Sequence, residues 1–117
     1  MGAVNEETSV DLSPARAAEL IDGGQADVID VRRDWEWDVG HLDGSRHIEV
    51  NDLMASAEGI PRERPVIFVC RVGNRSGMAA EAFRQAGWDA YHVEGGLRAW
   101  VDAGLPLEGE IAEPRPE

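Results

Sequence analysis

One cysteine, Cys70, stands at the end of an apolar run, Val66-Ile67-Phe68-Val69, and opens a polar loop, Arg71-Val72-Gly73-Asn74-Arg75-Ser76. A thiol becomes a nucleophile or a carrier of sulfur when its anion is favoured, and this stretch favours it in two ways. Arg71 and Arg75 bring fixed positive charge. A helical pattern follows the loop, so the loop amides lie at a helix N-terminus, where unpaired N–H groups and the helix dipole attract an anion. A core cysteine is the alternative, because free cysteine packs as a small hydrophobe. Such packing needs neither two arginines nor a Gly-Asn turn within the next five positions.

The elements that must position this thiol can be read from periodicity. Val66 to Val69 are β-branched or aromatic with no polar break, the pattern of a strand buried on both faces of a parallel sheet. After the loop, Met78, Ala79, Ala82, Phe83 and Ala86 form a predicted apolar stripe, with Glu81, Arg84 and Gln85 facing away and Gly87 as the stop. Cys70 then sits at the carboxyl end of a strand, where α/β sheets carry their sites.

Upstream, Val10-Asp11-Leu12 reads as an edge strand, and Ser13-Pro14 as the start of a helix with Ala17, Leu20 and Ile21 on its apolar face. Val28 to Val31 is a second strand carrying Asp30 near its carboxyl end, on the same sheet edge as the Cys70 loop. Asp34 to Val39 suggests one helical turn capped by Asp34, with one of Trp35 and Trp37 in the core and the other partly exposed. A short strand around Arg46–Val50, a short helix over 51–57 capped by Asn51, and a loop over 61–65 lead into the catalytic strand. Ala90 to Val93 is the last expected strand, and Gly95-Gly96 turns into a helix with Leu97, Trp100 and Val101 as its stripe. Strands alternating with helices predict an α/β fold with a mostly parallel sheet covered on both faces.

Composition narrows the chemistry. The chain has 117 residues, enough for one domain with its own core, and shows no internal repeat. With 23 acidic and 11 basic residues its formal charge is −12, which argues against nucleic acid or an anionic membrane surface as partner. All 11 basic residues are arginine, so there is no lysine for a Schiff base or a Walker-type phosphate loop. His41, His47 and His92 lack metal-ligand spacing, so no metal and no cofactor is expected, and His41 is read as a structural hydrogen-bonding residue. One cysteine allows no internal disulfide, and residues 1–9 show no signal-type pattern, so a reducing cytoplasm is the expected location. The expected organisation is a flexible N-terminus over 1–8, a domain over 9–107, and an acidic Pro/Glu tail over 108–117, where four glutamates and two prolines fall.

The loop Cys70-Arg71-Val72-Gly73-Asn74-Arg75-Ser76 resembles the active-site loop of single-domain rhodaneses, the thiosulfate sulfurtransferases. Asp30-Val31-Arg32, Glu36-Trp37, Gly40-His41-Leu42-Asp43-Gly44-Ser45 and Gly95-Gly96-Leu97-Arg98-Ala99-Trp100 resemble further segments of that family, in order. Related phosphatases carry a longer loop; here four residues separate Cys70 from Arg75. The resemblance implies a three-layer α/β/α domain with a central five-stranded sheet. It implies a sulfane sulfur passing from thiosulfate, or another persulfide donor, through a Cys70 persulfide to cyanide or a thiol. Arg71, Val72, Gly73, Asn74, Arg75 and Ser76 would bind the donor through backbone N–H groups and arginine charge, with Asp30 and Arg32 as supports. Val72 departs from the small or hydroxyl residue often found there, as do His47 and Glu49 from the family's usual Asn and Pro. The alternative is a non-catalytic persulfide carrier or docking module serving a sulfur-relay protein.

Overall fold

In a computed structural model, which describes residues 9–113, five short strands form an all-parallel sheet. They are β1 (Asp11–Leu12), β2 (Asp27–Asp30), β4 (Arg46–His47), β5 (Val66–Val69) and β6 (Ala90–Val93), in the order β1-β6-β5-β2-β4. The five-stranded parallel sheet agrees with the sequence expectation. Four helices cover it: α1 (Pro14–Asp22), α2 (Asp34–Val39), α3 (Asn74–Gln85) and α4 (Gly96–Asp102). A separate antiparallel ribbon pairs β3 (Gly40–His41) with β7 (Glu108–Gly109).

Local rules account for the first helix: the Ser13 hydroxyl accepts the Arg16 N–H at 3.1 Å, Pro14 fills the first turn, and Gly23 ends it. The central strand is wholly buried and splits by alternation. Ile67 and Val69 join Ala17 and Leu20 of α1 and Leu97 and Trp100 of α4 on one face. Val66 and Phe68 join Ala79, Ala80 and Phe83 of α3 on the other, and Cys70 continues that second face. Each such side chain fully withdrawn from water contributes about 1.5–3 kcal/mol, so two apolar layers clamp the strand that delivers the thiol.

Several local expectations are corrected. In α3 the buried face is Ser76, Ala79, Ala80 and Phe83, while Met78 is 71% exposed; the helix starts at Asn74 with Ser76 turned toward the sulfur, and this rotates the stripe. In α2, Asp34 is the first helical residue and Arg33 holds the cap position. Both tryptophans there are half-buried and Glu36 is the buried residue. Trp37 stacks on His41, with centroids 3.6 Å apart, and on His47. Residues 51–57 form no continuous helix but parts of two single turns, Val50–Asp52 and Ala57–Gly59. Leu53 is the one buried side chain in that span, so a longer helix would have no apolar stripe to hold it.

The stretch read as a tail is in part ordered: Glu108 and Gly109 pair with His41 and Gly40, and Ala112 is buried. Glycine at position 40 permits this, because a Cβ there would collide with the backbone of Glu110. The expected flexible N-terminus, 1–8, and the end of the tail, 114–117, lie outside the described residues.

Candidate active site

Beyond Val69 the chain turns through a left-handed glycine, Gly73 with φ of 106°, directly into α3. This turn brings two backbone donors onto one sulfur. The Gly73 N–H lies 3.1 Å from Cys70 Sγ and the Ser76 N–H 3.3 Å from it, and the thiol donates to Ser76 Oγ at 3.3 Å. Cys70 itself is 1% exposed. The loop is held from behind by α4, whose Leu97 and Arg98 N–H groups donate to the carbonyls of Cys70 (2.8 Å) and Arg71 (3.0 Å). Gly96 allows that approach, since a Cβ there would stand 2.5 Å from the Arg71 carbonyl oxygen.

Charge is organised around this loop in two pairs. Arg75, in the first turn of α3, forks onto Glu36 of α2, with Nη1 2.7 Å from Oε1 and Nη2 3.0 Å from Oε2. Glu36 Oε1 also accepts the Arg33 N–H at 3.0 Å. Burial by itself would raise the Glu36 pKa. The Arg75 hydrogen bonds, the Arg33 N–H and the charges of Arg75 and Arg32 outweigh it, and the carboxyl is held below its usual value. For Arg75 the Glu36 hydrogen bond dominates over burial, and with the charges of Glu36, Cys70 and Asp30 it raises the guanidinium pKa further.

The second pair is fully buried. Arg32 Nε lies 2.9 Å from Asp30 Oδ1, and Nη2 lies 2.8 Å from Oδ2 and 2.7 Å from the Gly40 carbonyl. The pair thereby ties β2 to the β3–β7 ribbon. Among the described residues, two buried guanidinium nitrogens have no hydrogen-bond partner: Nη1 of Arg32 and Nε of Arg71. Nη2 of Arg71 approaches Glu113 only to 3.9 Å.

Of the residues singled out in the sequence, Cys70, Gly73 and Ser76 therefore meet at the sulfur. Arg75 stands beside them on Glu36, Asp30 and Arg32 form a buried brace, and Arg71 contributes its carbonyl to the α4 contact. Val72 and Asn74 expose their side chains to solvent. His41 Nδ1 lies 2.9 Å from the Trp37 carbonyl, in keeping with a structural hydrogen bond.

Sequence reasoning gave no site role to three residues, Glu36, His92 and Asp11. Glu36 entered as part of the Glu36-Trp37 resemblance, and its pairing with Arg75 was not foreseen; the available signal was its place three residues after Arg33, the spacing of a helix-start box. His92, 6% exposed, places Nδ1 3.0 Å from Ser76 Oγ and Nε2 2.7 Å from Asp11 Oδ1. The available signal was a polar residue inside an otherwise apolar strand, which needs a partner once buried. Among the described residues, Asp34, His47 and Glu49 also gather ligand-type atoms within 4.8 Å. They lie at the start of α2, where Glu49 accepts the Asp34 N–H at 2.9 Å, as a helix-start partner does.

A sulfur anion at Cys70 would be met by two N–H donors and a nearby guanidinium, the arrangement needed to attack an electrophilic sulfur and to hold negative charge on a second one. A family model for the rhodanese-like domain matches residues 13–103. The chain is 39% identical over 93 residues to the thiosulfate sulfurtransferase GlpE of Pseudomonas aeruginosa, covering 76% of this chain and 81% of that one. It is 37% identical over 95 residues to the probable adenylyltransferase/sulfurtransferase MoeZ of Mycobacterium tuberculosis, spanning 77% of this chain but only 24% of that protein's length. The crystal structure of a rhodanese-related protein from Thermoplasma volcanium superposes with a TM-score of 0.77 at 30% identity, covering 87% of this chain and 98% of that one.

Proposed function

The chain belongs to the rhodanese-like domain family, and on that premise we propose that it is a sulfurtransferase whose Cys70 carries the sulfur. The Cys70 thiolate attacks the outer sulfur of thiosulfate or of another sulfane donor; the S–S bond of the donor breaks, sulfite leaves with its electron pair, and Cys70 is left as a persulfide. Cyanide or a thiol then takes the outer sulfur and returns the thiolate. The observation that carries this reading is the pair of N–H groups, from Gly73 and Ser76, converging on Cys70 Sγ. Such donors stabilise the charge that the sulfur bears in the thiolate and in the persulfide. Arg75 supplies positive charge for an anionic donor. Asp30 and Arg32 support the sheet edge from which the loop springs.

With one cysteine, no second thiol in the chain can resolve the intermediate, so the acceptor comes from outside, and a reducing compartment suits an unpaired reactive thiol. A relay protein as acceptor draws support from MoeZ, in whose name adenylyltransferase and sulfurtransferase stand together. No helix among the described residues is long and apolar enough to cross a membrane.

The test is intact-protein mass after incubation with thiosulfate, then with cyanide. Wild type gains the mass of one sulfur atom and loses it to cyanide, whereas Cys70→Ala gains nothing. A Cys70→Ala protein that gains sulfur and turns over as wild type does would remove Cys70 from the reaction.

A further inference from the structure

The Cys70 thiol stands at one end of a hydrogen-bonded chain that runs through the molecule to its surface. Cys70 Sγ donates to Ser76 Oγ (3.3 Å), Ser76 Oγ lies 3.0 Å from His92 Nδ1, and His92 Nε2 lies 2.7 Å from Asp11 Oδ1. The carboxylate can only accept, so Nε2 carries the proton donated to Asp11. In the neutral ring Nδ1 is then the acceptor of the Ser76 hydroxyl proton. All three bonds point the same way, from sulfur to carboxylate. Ser76 is fully buried and His92 nearly so, while the Asp11 side chain is 48% exposed, so the far end of the chain touches water.

The fold builds this alignment from three elements. Parallel register sets Asp11 of β1 against His92 of β6, and His92 against Phe68 of β5. Alternation along β5 then puts Cys70 on the face that His92 shares. Two glycines leave room for the imidazole: a Cβ at Gly77 would stand 3.3 Å from His92 Cε1, and one at Gly73 3.5 Å from it. The groups facing the ring are thus Asp11 on one side and Ser76, with Cys70 behind it, on the other. Gly73 and Gly77, at the start of α3, lie against the ring between them. Beyond the thiol lie Arg75 and Asp30, whose charges act on the loop.

We propose that Ser76, His92 and Asp11 form a proton relay that activates Cys70, with His92 as the group that holds the thiol's proton. The thiol proton passes to Ser76 Oγ as the Ser76 hydroxyl proton passes to His92 Nδ1. The products are a thiolate and an imidazolium, with Nε2–H still held by Asp11. No atom is gained or lost. The sulfur anion then accepts three bonds, from the Gly73 N–H, the Ser76 N–H and the Ser76 hydroxyl. His92 and Asp11 are positioning residues, since neither touches the reacting sulfur. This deepens the sulfurtransferase reading, on which its consequence for turnover rests; the activation of the thiol itself does not depend on it.

The experiment measures the rate of Cys70 alkylation by iodoacetamide across pH, with persulfide formation from thiosulfate followed separately by mass. His92→Asn keeps an acceptor for the Ser76 hydroxyl but cannot take up a proton. It alkylates roughly tenfold or more slowly near neutral pH, with its profile moved to higher pH. Ser76→Ala shows a similar loss, and the double variant is no slower than either single one, because both cut the same chain. His92→Asn alkylating with the wild-type pH profile, or losses that multiply in the double variant, would overturn the relay. Should Ser76→Ala fail to fold, the His92→Asn profile decides alone. Wild type that alkylates by this pattern but gains no sulfur from thiosulfate keeps the relay and rejects the thiosulfate reaction.

Discussion

Glu36 and Arg75 show how much one residue pair can carry. Glu36 is 5% exposed and Arg75 34% exposed at their side chains, so the pair is shielded but not sealed. The Glu36 carboxyl is held below its ordinary value of 4.5. A depressed carboxyl contributes stability that is present above the unfolded-state pKa and is lost as pH falls through the folded value. Glu36→Gln therefore lowers stability by about 1–3 kcal/mol at neutral pH. In urea titrations the gap from wild type is constant above pH 4.5 and closes at more acid pH. A gap that persists unchanged in acid would assign the loss to packing. Arg75→Ala removes both this brace and the positive charge near the sulfur. Its kcat/KM falls roughly tenfold further with thiosulfate than with an uncharged sulfane donor. Equal losses with both donors would make Arg75 a brace alone.

At the scale of elements, the Cys70 loop is fixed by the start of α4 as much as by its own turn. Gly96 adopts φ of 68° and a Cβ there would press on the Arg71 carbonyl at 2.5 Å, whereas Gly104, with φ of 83°, has nothing within 4 Å of its would-be Cβ. Both substitutions to alanine incur the left-handed backbone cost of about 1–2 kcal/mol. Only Gly96→Ala also displaces the loop, so thermal melts show the larger drop for Gly96→Ala and alkylation of Cys70 slows in that variant alone. Equal behaviour of the two would mean that the α4 contact does not position the thiol. The ribbon of β3 and β7 works in the same manner on the other pair, since the Gly40 carbonyl that ends α2 receives the Arg32 guanidinium at 2.7 Å.

The whole molecule carries a formal charge of −12 around a site that suits an anion. The general field repels an anion such as thiosulfate, and on the proposed function the arginines near the loop attract it over a short range. Raising ionic strength from about 0.01 M to about 0.1 M shortens the screening length from about 30 Å to about 10 Å. Screening on that scale suppresses the distant repulsion more than the local attraction. Second-order rates with thiosulfate then rise about two- to threefold while rates with an uncharged donor stay level. A fall with thiosulfate would show that the local arginines dominate even at long range.

The number of strands, five, was implied by the family resemblance and their order was decided by the tertiary structure, while the sequence itself determined the strand that delivers Cys70, the mostly parallel α/β class, and the loop that follows. These rest on neighbours within a few residues: β-branched runs, a glycine turn, and a helix whose first amides lie next to the thiol. The stripe read from sequence for α3 placed Met78, Ala82 and Ala86 inside where the fold exposes them, because alanines at 79, 80, 82 and 86 permit more than one buried stripe until Ser76 is drawn to the sulfur. Ordering of Glu108–Gly109 was hidden by an acidic composition that said nothing of the open edge at Gly40–His41. Tertiary structure alone decided the partners that meet across long separations: Arg75 with Glu36, 39 residues apart, and His92 with Asp11, 81 residues apart. Charged and polar side chains have many possible partners along the chain. Strand register and burial, which removes water as a competitor, select one.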